Sequence, residues 1–374
     1  MLIKEKIDVN DDNVKKQLNI KYSVNGDKLF IQFIADKIVG KNFNSKQELV
    51  NFVKDLYKQL TGKEFDFGKD AFAESLVTGR GMTDGVISDI IFEKDGFIDR
   101  LAERFNLYDC KDGDAVLGAI IGDIVGSRFE FNNYRKKDFE LFDGLCFFTD
   151  DTVMTLSIAK AINENKNIEN LASEVVKNMQ EIGRNYPTCG YGGRFYDWIY
   201  SDNPAPYNSF GNGSAMRVSY CGMVGKSLDE VKRLSYEVTK VSHNHYEGIK
   251  GAEATAVCIY LAKIGKTKEE IGKYVRENYY KIDFTLDQIR PTYKFNEICQ
   301  DTVPQAICAF LESTSFEDAI KNAISIGGDS DTIGAITGAI AGVYYQIPED
   351  IKVKAIGYLD SRMKSIYQSL KSKT

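Results

Sequence analysis

Little in this sequence can bind zinc. Its 374 residues include only two histidines, His243 and His245, and the seven cysteines (Cys110, Cys146, Cys189, Cys221, Cys258, Cys299 and Cys308) form no CxxC pair. That argues against a Cys/His metal site and against a disulfide framework, and it suits a reducing compartment. A basic excess is also missing. There are 48 basic and 54 acidic residues, and the balance is even along the chain: 18 against 21 up to Asp114, then 30 against 33 beyond it. A nucleic-acid backbone binder usually shows a basic stripe, so that class is disfavoured. No apolar run reaches the roughly 20 residues of a membrane-spanning helix. The longest, Ala115–Val125 and Ile333–Ile347, are shorter, and the first contains Asp123. The opening residues, Met1-Leu2-Ile3-Lys4-Glu5-Lys6, lead to Asp8, Asp11 and Asp12 with no apolar signal core. A soluble cytoplasmic protein is expected, with no membrane or nucleic-acid partner.

The remaining composition, 43% hydrophobic and 27% charged, is ordinary for a globular chain. At about 100–200 residues per domain, this length predicts two domains. We place the boundary in the polar turn Cys110-Lys111-Asp112-Gly113-Asp114, giving residues 1–112 and 113–374. The first part reads as a small α/β (α+β) accessory domain. Leu29–Ile34 is rich in β-formers and follows the turn-like Asn25-Gly26-Asp27. Ser45 with Glu48 has the spacing of a capping box, ahead of Leu49, Phe52, Val53, Leu56, Tyr57 and Leu60 at helical spacing. Gly62 closes that helix, and a second is predicted over Gly96–Leu107.

The second part reads as mainly α. Helices are predicted over Ala115–Phe129, Val153–Asn163, Ile168–Met179, Leu228–Ser242, Gly248–Ile264, Lys268–Tyr279, Pro304–Glu312, Phe316–Ser325 and Ile333–Tyr345. Gly334, Gly338 and Gly342 share one helix face and predict close helix–helix packing. One stretch, Tyr186–Ser214, breaks the pattern with three of the six prolines, five glycines and the only tryptophan, Trp198. A loop this long in a compact domain is usually functional or disordered, and its aromatics argue against disorder.

Two acid-rich segments carry the chemistry. Phe148-Thr149-Asp150-Asp151-Thr152 precedes the helix predicted from Val153, and Gly327-Gly328-Asp329-Ser330-Asp331-Thr332 precedes the one predicted from Ile333. Singly, each Asp or Thr is best explained as a helix cap. Together they exceed what capping needs. Paired carboxylates repel unless a cation or proton lies between them, and uncompensated charge beside apolar helices is costly. Four carboxylates and several hydroxyls make a hard-oxygen site suited to Mg²⁺, Mn²⁺ or Ca²⁺. Two metals sharing a carboxylate would suit hydrolysis.

Three further segments stand out. In Gly118–Glu130, Asp123 within an apolar helix reads as a buried, hydrogen-bonded structural acid. Glu130 at its end is either an exposed acid or part of the site. The glycines of Cys189–Phe195 and Ser209–Arg217 allow backbone amides to approach an anion, although neither run fits GxGxxG or a Walker A loop. In Val241–Gly248, His243 is read as a ligand hydrogen-bonding residue, and His245 is given no role.

In this order, the motifs GAIIGDIVGSRFE, FTDDT, GYGGRF, FGNGSAMR, SHNHYEGIKGA, DTVPQAICAFLES and GGDSDT resemble the ADP-ribosylglycohydrolase family, over about residues 114–370. The resemblance implies a compact all-α domain and a binuclear Mg²⁺ or Mn²⁺ centre that cleaves the glycosidic bond between ADP-ribose and a modified side chain, arginine foremost. It implies that Thr149, Asp150, Asp151 and Asp331 hold one ion and Asp329, Asp331 and Thr332 the other. Glu130 would coordinate or act as the acid–base, with Asp150 the runner-up. Gly190, Gly192, Gly193, Ser209, Gly211 and Gly213 would face the diphosphate and distal ribose. Phe210 would stack on adenine, and Asn212 and His243 would orient ribose or phosphate. Two other readings stand beside it: an immunity-type protein that binds and blocks an ADP-ribosyltransferase toxin through residues 1–112, and a two-metal phosphoesterase.

Overall fold

The computed structural model describes residues 34, 37–61, 111, 113–165 and 167–371. The chain divides into two compact units, Met1–Cys110 and Lys111–Thr374.

In the first unit, helix α1 spans Lys46–Thr61. Ser45 Oγ accepts the Glu48 N–H at 3.2 Å. Glu48 reaches back one residue beyond a capping box and accepts the Asn44 N–H at 2.7 Å. Leu49, Val53 and Leu56 form the buried face. The strand predicted over Leu29–Ile34 lies outside the described residues except for Ile34, which is helical. The helix predicted over Gly96–Leu107 lies outside them altogether.

The described residues of the second unit are helical and form no strand. In order, the helices are α2 (Ala115–Ser127), α3 (Asp150–Glu164), α4 (Leu171–Gly183), α5 (Gly193–Tyr200), α6 (Ser219–Val224), α7 (Leu228–Thr239) and α8 (Tyr246–Lys263). They continue with α9 (Lys268–Asn278), α10 (Leu286–Ile289), α11 (Cys299–Glu312), α12 (Phe316–Ser325), α13 (Ser330–Tyr344), α14 (Glu349–Tyr358) and α15 (Ser361–Lys371). Two differences from the predicted boundaries matter. α3 begins at Asp150 and α13 at Ser330, so the acid-rich segments form first helical turns rather than leading loops. The predicted long loop contains α5, whose Phe195, Trp198 and Ile199 are buried.

The pair α2 and α13 forms the centre of this unit. Every residue of α2 is buried. The pair touches backbone to backbone, as the glycine spacing predicts. A methyl group at Gly334 would meet the Gly122 carbonyl oxygen at 2.5 Å, and one at Gly342 would meet the Asp114 oxygen at 2.7 Å. At the end of the contact, a methyl at Gly126 would lie 2.5 Å from Asp331 Cα. The same packing that holds the two helices together therefore fixes where Asp331 sits. No helix among the described residues is long and apolar enough to cross a membrane.

Candidate active site

The two acid-rich turns, remote in sequence, meet at one cavity of about 370 Å³ lined by Asp150, Asp151, Asp329, Asp331 and Thr332. Glu130 joins them from the end of the α2 segment. Gly190, Gly192 and Gly193, the Ser209–Gly213 turn, and His243 line the same cavity. Thr149 does not line the cavity. It is the N-cap of α3, where its hydroxyl accepts the Asp151 N–H and donates to Asp123 Oδ1 at 2.7 Å.

Asp123 explains why the α3 turn is held so firmly. It is fully buried in α2 and accepts the N–H groups of Thr149 (3.0 Å) and Thr152 (3.0 Å). A carboxylate from another helix thus satisfies donors that a helix start leaves unpaired. Burial raises its pKa to about 6, while its bonds to Thr152 and Thr149 oppose the shift. The structural reading of this acid matches its surroundings.

At α13, two successive left-handed glycines, Gly327 (φ +75°) and Gly328 (φ +82°), turn the chain into the helix. Asn133 locks the turn by donating to the Gly328 carbonyl and accepting the Gly328 N–H, both at 2.9 Å. Asp329 is the N-cap by position, yet its side chain caps nothing. Instead it accepts Asn212 Nδ2 at 2.7 Å. Thr332 donates its hydroxyl to Asp151 Oδ2 at 3.3 Å and so ties the two turns together.

The site is electrostatically strained in the absence of cations. Burial, followed by repulsion from Asp331 and Asp123, holds Asp150 and Asp151 well above the usual carboxylate range. Burial, followed by the charge of Asp329, also lifts Asp331 well above the usual carboxylate range. Asp329 rises to about 6, mainly by burial. Half-buried Glu130 rises to about 8, first by burial and then by the charges of Asp331, Asp123 and Glu297. Carboxylate oxygens of Glu130, Asp329 and Asp331 lie within 4.8 Å of one another, a spacing that fits a metal ion. Asp151 Oδ1 is buried with no hydrogen-bond partner among the described residues. An all-oxygen donor set with an orphaned buried oxygen fits a hard divalent cation.

The cavity also gathers residues that the sequence reading left out of the site. Arg194, Phe195, Tyr207, Met216, Arg217, Glu297 and Ile298 all line it. Arg194, Phe195, Met216 and Arg217 lay inside motifs already singled out, so their neighbours were a usable signal. Glu297 had none, because its segment comes alongside through backbone bonds, from the Asn212 N–H to the Glu297 carbonyl (2.7 Å) and from the Cys299 N–H to the Phe210 carbonyl (3.0 Å). Asn212 was read as a ligand contact. Its amide nitrogen donates inside the protein, to Asp329 and to Thr302 Oγ1 (3.1 Å). Phe210 is 41% exposed, leaving a ring face open at the rim.

The fold and site together define a helical domain with a carboxylate-lined cleft and a candidate metal-ligand cluster. The ADP-ribosylglycohydrolase family model matches residues 113–371, and the chain belongs to that family and its enzyme class. ADP-ribosylhydrolase ARH3 of Xenopus tropicalis is 26% identical over 324 residues, covering 66% of this chain and 91% of that protein. The ADP-ribosylarginine hydrolase Tri1 of Pseudomonas putida (strain GB-1) is 27% identical over 269 residues, covering 62% and 70%. A solved structure titled "ADP-ribosylglycohydrolase-related protein complex" shares the fold, with a TM-score of 0.53 and 21% identity over 69% of this chain and 96% of that one.

Proposed function

We propose that the chain hydrolyses the glycosidic bond between ADP-ribose and a protein side chain, arginine foremost, using two Mg²⁺ or Mn²⁺ ions. The observation that carries this reading is the convergence of two acidic helix starts and Glu130 on one cleft. Thr149, Asp150, Asp151 and Asp331 would hold one ion. Asp329, Asp331 and Thr332 would hold the other, with Asp331 shared. Bound there, the ions supply positive charge to the ribose hydroxyls and make water a nucleophile at neutral pH.

The protein's own groups do the rest. Glu130, at the edge of the acidic turns, is the group we assign to proton transfer between water and the departing side chain. Asp150 is the runner-up. Gly192 caps α5 without a side chain, leaving amides that suit a diphosphate oxygen. Phe210 offers its open face to adenine, so binding energy far from the scissile bond positions the sugar. Glu297 lines the cleft near Glu130, a charge that favours a guanidinium acceptor. The name of the Pseudomonas putida relative supports the same acceptor.

The test is incubation of the full chain with proteins ADP-ribosylated on arginine or on serine, with Mg²⁺, Mn²⁺ or excess chelator, read by mass spectrometry. Divalent-dependent release of free ADP-ribose from arginine is expected. Undiminished turnover in chelator defeats the metal assignment. Release of AMP establishes a phosphoesterase, and release from serine alone replaces the acceptor.

A further inference from the structure

The cleft also contains an unusual cation. Arg217 is 1% exposed, and among the described residues no carboxylate pairs with it. Its guanidinium lies over the Phe195 ring, 5.1 Å from the centroid. Nε and Nη1 have no hydrogen-bond partner. Nη2 donates to Ser242 Oγ at 2.7 Å and approaches His243 Nδ1 at 3.3 Å. Ser242 Oγ lies 2.8 Å from the same Nδ1.

These three contacts determine where the protons sit. An arginine has only donors to offer, so Ser242 Oγ must accept from Nη2. The serine hydrogen then points to His243 Nδ1, which must accept it. A proton on Nδ1 could be accepted by Ser242 Oγ, but the serine hydrogen would then have no acceptor among the described residues, and the guanidinium N–H at 3.3 Å would face another donor. The neutral imidazole therefore carries its proton on Nε2. Nε2 bonds no protein atom among the described residues. It faces the turn at Gly211 and Gly213, at 3.6 Å from where a methyl on either glycine would lie. Both glycines line the cleft.

We propose that Arg217, acting through Ser242, is a positioning residue that holds His243 as a permanently neutral Nε2–H donor aimed into the cleft. His243 then gives a hydrogen bond to a ligand oxygen at any working pH and takes no part in proton transfer. The charged and titratable groups around the ring agree with this. Arg217 faces it from the segment before α6, Arg194 from α5 also acts on it, and the Tyr207 ring lies 5.8 Å away. Burial and the two arginines all oppose an imidazolium. The backbone is pinned as well: His243 N–H donates to the Thr239 carbonyl at 3.0 Å, and Trp198 Nε1 to the adjacent Val241 carbonyl at 3.1 Å.

Only two histidines exist in the chain, so the state of each is directly readable. The experiment is long-range ¹H–¹⁵N correlation on full-length protein labelled at histidine, from about pH 5 to about pH 8, the range in which an unperturbed imidazole changes charge. His245→Gln identifies the His243 signals. The expected result is an Nε2–H pattern that does not change with pH. In Arg217→Gln, His243 becomes protonated within that range, whereas Arg217→Lys, which keeps the charge, remains neutral. In Ser242→Ala the Nδ1–H tautomer appears, and Ser242→Thr suppresses it again. A wild-type His243 that titrates in the range, or carries its proton on Nδ1, overturns the proposal. So does a folded Arg217→Gln protein whose His243 stays neutral. If that variant does not fold, the wild-type and Ser242 spectra still decide the matter.

A turnover arm rests on the hydrolase reading; the spectra of the free protein do not, so the two can fail separately. His243→Ala should raise KM roughly tenfold, about the worth of one hydrogen bond, with kcat within about twofold and the shape of its pH profile unchanged. A fall in kcat with loss of one limb of the pH profile would make His243 an acid–base and overturn the assignment.

Discussion

Helix starts in the second unit differ in how their first amides are satisfied. At α7, α9, α10 and α12, the hydroxyls of Ser227, Thr267, Thr285 and Ser315 each accept an N–H from their own first turn. At the cleft, Thr149 still caps α3 in this way, but distant groups are added. Asp329 caps nothing in α13 and is held by Asn212, while Asp123 from α2 takes up two donors of the α3 start. The aspartates that could have capped these helices are instead left facing one another in the cleft. Like charges raise one another's pKa and weaken the metal-free fold. The comparison shows that the acidic turns are built at a cost in stability, which indicates a role other than capping.

The largest break in that comparison comes from Asp331→Asn. At an ordinary helix start this change alters little. Here it should reduce turnover on ADP-ribosylated protein by three orders of magnitude or more, on the order of the loss seen when a reaction-centre group is removed. The same change should raise the melting temperature of the metal-free protein, because one repelling charge is gone. Turnover close to wild type, or a lower metal-free melting temperature, would return Asp331 to the ordinary class. Glu130→Gln comes next, at about 10²–10⁴-fold in kcat if Glu130 moves the proton, with a rise in the metal-free melting temperature near neutral pH, where its raised pKa costs stability. Asp123→Ala removes the remote cap and strands the buried N–H groups of Thr149 and Thr152. At about 1–3 kcal/mol per unsatisfied group, the expected loss is about 3 kcal/mol or more, read by urea denaturation.

How far the sequence exposed this design depends on how local each signal is. The glycine spacing on α13 was readable because a helix face repeats in the chain itself, and Gly334 and Gly342 do meet the α2 backbone. Ser45 and Glu48 showed α1 for the same reason. Excess acid in two short turns pointed to their meeting, since capping alone would not use it. Arg217 was harder to see. Its burial without an ion-pairing carboxylate among the described residues depends on the fold, which no spacing records. Glu297 enters through backbone pairing of its segment with Phe210–Asn212. The start of α3 was placed three residues late because apolar periodicity begins at Val153, whereas the helical turn is already formed by the polar Asp150, Asp151 and Thr152.

The smaller effects separate the cleft starts from the others by pH. Glu130 has an ordinary value of 4.5 and rises to about 8 in the folded cleft. The folded state therefore holds more protons than the unfolded state across that window, and stability falls as pH rises through it. Metal-free protein should melt several degrees lower at about pH 8 than at about pH 6. Mg²⁺ or Mn²⁺, which displaces those protons, should raise the melting temperature more at the higher pH. An equal gain at both values would mean that the carboxylates do not hold the ion. Ser315→Ala supplies the contrast. It removes the hydroxyl that accepts the Asp318 N–H at 3.1 Å, at about 1 kcal/mol, or roughly 2–4 °C for a unit of this size. That loss should be the same at both pH values and with or without divalent ion, because a neutral cap neither binds a proton nor gives one up. If it shifted with pH or with metal in the way the cleft does, the division between ordinary and functional helix starts would not hold.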